Sequence, residues 1–265
     1  MTPSVALACT LLVMCAVNVW VHVGPRRTHL VIGPVAAVVL LLVARRSGLS
    51  WAELGLGRDA LVTGARYAAV AAGLVAVVYG AALAIPATRG AFRDTRYEMR
   101  ARSAVYTALV VIPLATVIFE EVAFRGVLWG LLAHDHGVVW ATCVSSVLFG
   151  LWHVLPAVDL AGTNVALRAG TGSRRRRARL TVLGTVAFTT LAGVVFAELR
   201  RGSGSLLAPF GLHWATNGLG VLAAAASQVW RLGPPDRRLS PRRRRPGSPP
   251  RCGRAALSRG RVPRA

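Results

Sequence analysis

Seven apolar runs, at residues 4–24, 30–44, 61–86, 104–132, 138–155, 180–197 and 206–230, constrain this chain more than any other feature. Each approaches the ~20 apolar residues that cross a bilayer as a helix. In lipid, backbone N–H and C=O groups must be paired within their own segment or in a closed barrel. The expected fold is all-α: a polytopic transmembrane helical bundle of about seven spans. The run at 30–44 is short, and is expected to be re-entrant or to cross only a thinned bilayer. The run at 104–132 is long enough to project from it. Only Thr2 and Pro3 lie between Met1 and the first run, so that run reads as a retained span rather than a cleaved signal peptide.

The polar remainder sets the expected organisation. Charged residues make up 16% of the chain, below the share usual for a soluble domain, and the net charge is +22 with every cation an Arg. With seven spans, Arg26-Arg27, the segments 89–102 and 168–179, and the C-terminal stretch fall on one side. Arg45-Arg46, the His134 loop and Arg200-Arg201 fall on the other. The first side carries more Arg, so it is expected to be cytoplasmic, with the N-terminus outside a cell membrane crossed several times. Three regions follow: N-terminal spans over 1–47, a larger membrane domain over 48–230, and a disordered Arg/Pro-rich cytoplasmic tail over 231–265. The tail reads first as a solvated extension and second as a binder of anionic lipid headgroups. Nucleic acid is not an expected partner, because neither aromatic interleaving nor a folded module accompanies the charge. Cys9, Cys15, Cys143 and Cys252 show no metal-type spacing and read as buried small hydrophobes.

The chemistry concentrates in the fourth run, where Glu120, Glu121 and Arg125 lie within six positions. A charge at bilayer depth costs roughly 2.5 to 3.5 kcal/mol on insertion scales, which makes such residues functional candidates. On a helix Glu121 and Arg125 share a face and can pair, while Glu120 points about 100° away and keeps no such partner. That assigns a structural role to Glu121 and a reactive one, as a candidate general base, to Glu120. His153 lies four residues after Phe149, and Asn217 four after His213. Counted from the connection near Asp135 at about 1.5 Å per residue, Glu120 and His153 lie roughly 22 Å and 27 Å along their helices, so they can meet. His213 counts out shallower and needs a break, for which Ser203-Gly204-Ser205 and Pro209 offer places. His22, His29, His134 and His136 read as interfacial or loop residues.

Glu120-Glu121-x-x-x-Arg125, Phe149-x-x-x-His153 and His213-x-x-x-Asn217, in that order on separate apolar segments, resemble the CPBP family. This family comprises CAAX proteases and bacteriocin-processing enzymes and is also called ABI. Residues 49–56 resemble its connecting segment after the second span, and 204–209 the lead-in to its third motif. The resemblance covers about 49–225; the tail and the Arg174–Arg177 insert lie outside it. It implies an intramembrane endopeptidase acting on membrane-associated peptides, prenylated or bacteriocin-type. In that scheme Glu120 with His153 activates water, Glu121 and Arg125 hold the helix and the first Glu, and His213 with Asn217 stabilises the oxyanion. Zinc is left open, with Glu120, His153 and His213 as its ligands, although no His-Glu-x-x-His helix is present. The alternative is a non-catalytic relative, such as a bacteriocin-immunity or scaffold protein. A proton-coupled carrier predicts inverted repeats, which the sequence lacks. The absence of Lys excludes a P-loop.

Overall fold

A computed structural model describes residues 1–92, 100–163 and 173–232. The expectations for 93–99, 164–172 and the tail from 233 onward, Cys252 included, fall outside the described residues. The described residues form the helices α1 (Pro3–Val23), α2 (His29–Arg46), α3 (Leu61–Ala84), α4 (Ala101–His136), α5 (Val138–Trp152), α6 (Val154–Thr163), α7 (Arg174–Ser203) and α8 (207–232). The all-α bundle is as expected. Five of the helices, α1, α2, α3, α4 and most of α7, are long and apolar enough to cross a membrane. The second run gains its first and last turns from flanking polar residues and reaches 18 residues. The fifth is shorter than expected, because the chain turns after Trp152 and restarts as α6 at Val154. The Arg174–Arg177 insert is the first turn of α7, where the Ser173 hydroxyl accepts the Arg176 N–H.

Small residues let the helices approach, as expected where lipid offers no hydrophobic drive for association. Gly64 faces Ser205 and Gly211 faces Ala68, bringing α3 and α8 together in parallel; a Cβ on Gly211 would lie 2.8 Å from the Ala68 Cα. Gly193 faces Ser146 and Gly150 faces Thr190, seating α5 on α7. Outward faces are apolar: Leu74, Val77, Phe188 and Leu191 are exposed, as lipid-facing residues are. The same inversion corrects the reading of the cysteines. Cys15 and Cys143 are exposed and Cys9 half-buried. An apolar residue in a spanning helix is as well solvated by lipid as by a core.

Residues 47–60 close one end of the bundle. Leu49 and Leu54 are buried in the main core, and the glycines of α4 make room for them: a Cβ on Gly130 would lie 2.8 Å from Leu49 Cδ2. Ser50 and Glu53 form a reciprocal cap, with both the Ser50 N–H and hydroxyl donating to Glu53 Oε2 at 2.7 Å. From α7, the buried Arg200 donates to the carbonyls of Glu53 (2.7 Å) and Ala52 (3.2 Å). Gly55 has φ +75°, and a Cβ there would collide with the Arg200 guanidinium, so the position requires glycine twice over.

Candidate active site

The long α4 does not keep the regular i, i+4 ladder throughout. It widens into i, i+5 turns at 107–111, 113–117 and 121–128, and α8 does the same at 215–219. Such widened turns concentrate at functional positions. Here two of them carry Glu121 with Arg125, and Asn217.

Glu121 and Arg125 are both 1% exposed and pair as their spacing implies, with Arg125 Nη1 donating to Glu121 Oε1 at 3.2 Å. The guanidinium also lies over the Phe149 ring (3.9 Å to the centroid) and the Phe196 ring (4.7 Å), so aromatic faces take up much of a charge that lipid would not tolerate. What spacing could not reveal is that Glu121 has a second cationic or polar partner. His213, from α8, bonds the same Oε1 through Nδ1 at 2.7 Å. An ionised carboxylate only accepts, so His213 Nδ1 carries the proton in that bond.

The other ring nitrogen, His213 Nε2, stands 3.7 Å from Glu120 Oε2. That exceeds hydrogen-bond length, and Glu120 Oε2 has no hydrogen-bond partner among the described residues. Glu120 Oε1 is not free, contrary to the expectation of an unpartnered acid. It accepts from the indole N–H of Trp152 at 3.0 Å. The middle of α4 and the end of α5 therefore meet at one level, as the residue count predicted, but through Trp152 rather than through its neighbour His153. Trp152 was not singled out in the sequence; its place directly before His153 was the available signal.

His153 donates from Nδ1 to the Phe149 carbonyl at 2.8 Å and packs edge-on against that ring (4.6 Å between centroids). This fixes its orientation and, in the neutral ring, leaves Nε2 as the basic nitrogen. The break that His213 needed is present. α7 ends at Ser203, Gly204 turns with φ +68°, and α8 begins at Leu207.

A cavity of about 500 Å³ brings His153, His213 and Asn217 together, with Tyr79, Phe149 and Phe196 among its walls. His213 stacks on Phe196 at its inner side, 5.1 Å between centroids, and is 4% exposed, whereas Asn217 is exposed to the cavity. Of the residues expected to form the site, Glu120, Glu121, Arg125 and His213 make one contiguous buried cluster. His153 and Asn217 border the cavity against which His213 lies.

This arrangement does not suit a three-ligand zinc site. Among the described residues no three of His, Cys, Asp and Glu are grouped to hold a metal ion. Of the three expected ligands, His213 Nε2 and Glu120 Oε2 stand 3.7 Å apart.

No curated protein and no solved structure matches the chain. Residues 102–219, which run from the start of α4 to the end of the wide turn in α8 and contain all six expected site residues, match the family described as Type II CAAX prenyl endopeptidase Rce1-like. That match falls on a multi-pass helical bundle, so the segment 102–219 is similar to the CAAX-type intramembrane proteases, hydrolases of peptide bonds.

Proposed function

We propose that this protein hydrolyses a peptide bond of a membrane-associated substrate, prenylated or bacteriocin-type, by water that Glu120 activates. The observation that carries this reading is the pair of adjacent acids divided between two environments. Glu121 is saturated on one oxygen by Arg125 and His213, and Glu120 keeps one oxygen unbonded, 3.7 Å from the same imidazole. A gap of that size between two polar atoms suits a bridging water. Glu120 Oε2 would take a proton from that water as the oxygen attacks the carbonyl carbon. The oxyanion would be met by the Asn217 amide, which borders the cavity, and by the Nε2–H of a protonated His213. When the C–N bond breaks, Glu120 would return its proton to the leaving nitrogen, and the carboxylate is regenerated. His153, oriented by the Phe149 carbonyl, would serve as the second basic group beside the attacking water. Trp152 would hold Glu120 in its productive rotamer, and Glu121 would hold His213 as a carboxylate holds the imidazole of a hydrolytic triad.

The same reading takes 48–230 as the catalytic membrane domain after N-terminal spans over 1–47, with the N-terminus outside and the tail from 231 in the cytoplasm near anionic lipid. The distribution of Arg supports that orientation. A cell-membrane location follows from it.

Glu120→Gln keeps the shape and the Trp152 contact but removes the base. It is expected to lower turnover by about 10²- to 10⁴-fold, the range for a lost general base, with insertion and thermal stability retained. Turnover at the normal rate would end the mechanism. If the variant also restored a cellular immunity phenotype in full, the non-catalytic reading would replace it.

A further inference from the structure

Tyr79 lies outside the segment 102–219 that carries the family likeness, yet it reaches the site. It projects from α3, which the close approach of Gly211 to Ala68 holds against α8. Its hydroxyl donates to the Thr216 carbonyl at 3.0 Å. That carbonyl belongs to the wide turn 215–219, one residue before Asn217. In a regular helix the Thr216 carbonyl would receive the N–H four residues on, from Gly220. Here the Gly220 N–H goes to the Asn217 carbonyl instead. The Tyr79 ring is steadied edge-on against Phe92, 5.5 Å between centroids, and lies close against Gly220, where a Cβ would meet it at 3.7 Å.

The turn is held from its other side as well. Trp214 Nε1 donates to the Ala108 carbonyl at 2.9 Å, and the Thr216 hydroxyl donates back to the His213 carbonyl at 2.9 Å. Tyr79 thus adds a side-chain hydrogen bond between this segment and α3. A second cavity, about 590 Å³, adjoins the first and shares Tyr79, Thr216 and Asn217 with it. Its other walls are largely apolar, among them Val78, Ala82, Phe92 and Val221. Asn217 therefore stands where the two spaces meet, and Tyr79 holds the carbonyl of the residue before it.

We propose that Tyr79 is a positioning residue for the hydrolytic reaction. By pinning the Thr216 carbonyl it sets the direction in which Asn217 presents its amide at the junction of the two cavities. The proposal rests on the role of Asn217 given above. Phe at this position preserves the ring, its packing on Phe92 and the cavity walls, and removes only the hydroxyl.

Two measurements on the full-length protein in lipid nanodiscs test it, with a farnesylated CAAX peptide as the substrate probe. In hydrogen–deuterium exchange, Tyr79→Phe is expected to speed exchange several-fold in the peptide covering 215–221 and to leave α5 unchanged. Unchanged exchange in 215–221 overturns the proposal. In steady-state cleavage, Tyr79→Phe is expected to lower kcat about tenfold with KM within twofold, and to have no further effect in an Asn217→Ala background, the non-additivity expected of residues acting through one another. A full tenfold loss on top of Asn217→Ala overturns the proposal, since Tyr79 would then act by another route. Impairment of Asn217→Ala with Tyr79→Phe at the normal rate overturns it too, while leaving the active-site reading intact. Full activity of Asn217→Ala refutes the role of Asn217, and with it the positioning role, whatever the exchange result.

Discussion

A carboxylate oxygen that accepts from an arginine and an imidazole together, as Glu121 Oε1 does, is costly to disturb in an interior without water. Arg125→Ala would leave that carboxylate short of its strongest partner and strip the cation from three phenylalanine faces. Removing one member of a buried pair costs about 3–5 kcal/mol, so the variant is expected to melt well below the parent or fail to accumulate, as read by thermal unfolding in detergent. Trp152→Phe is milder. It keeps an aromatic ring beside Phe119 and Phe124 and removes one N–H from Glu120. A hydrogen bond to a charged group is worth about 1.5–3 kcal/mol, and a loss at the low end of that range in the transition state lowers kcat roughly tenfold. Equal kcat for Trp152→Phe would show that Glu120 needs no such support. At this scale the sequence revealed the pairing of Glu121 with Arg125, because that contact lies within one helix. It did not reveal the bonds from His213 and Trp152, because both depend on where other helices end.

Helix α4 illustrates how far periodicity carries. Its apolar length and its charged cluster are plain in the sequence, and Pro113 marks one of its three widened turns, whereas the wide turn at 121–128 has no proline to announce it. The start of α7 at Arg174 was missed for a related reason. Four consecutive arginines look like a connection until the Ser173 cap extends the helix through them. Packing between elements gives a sharper prediction. A methyl group on Gly150 would run into the Thr190 hydroxyl and come within 2.8 Å of the Val186 carbonyl, so Gly150→Ala must push α5 away from α7. Overpacking of this kind costs about 1–3 kcal/mol, and the shift would carry His153 with it, so both the melting temperature and turnover should fall. The connection between α2 and α3 has its own pH dependence. The Ser50 N–H, followed by the Ser50 hydroxyl and His134, holds the Glu53 carboxyl below its ordinary value near 4.5. The stability it contributes is present above that value and is lost as pH falls through the lowered one. Glu53→Gln is expected to flatten the acid limb of a melting-temperature profile, by a small amount because the side chain is well exposed to solvent.

For the molecule as a whole, the sequence revealed the class of fold through the length of its apolar runs, and the placement of Arg supports the proposed orientation. A reporter that works only in the cytoplasm, fused after residue 265, is expected to be active, and its silence beside an active fusion to a reporter that works only outside would reverse the inferred topology. What remained hidden was how the bundle is stoppered. The core packing of Leu49 and Leu54 and the grip of Arg200 on the Ala52 and Glu53 carbonyls connect residues about 150 positions apart, which no local pattern encodes. This clasp also bears on permeability. A hydrolytic site supplied with water from one face leaves only part of the membrane's thickness as a barrier to ions. In the proposed orientation residues 47–60, seated on the core through Leu49 and Leu54, would restore that barrier at the opposite end. On that reading, loosening them by Arg200→Ala should make proteoliposomes leak protons while turnover at Glu120 is retained.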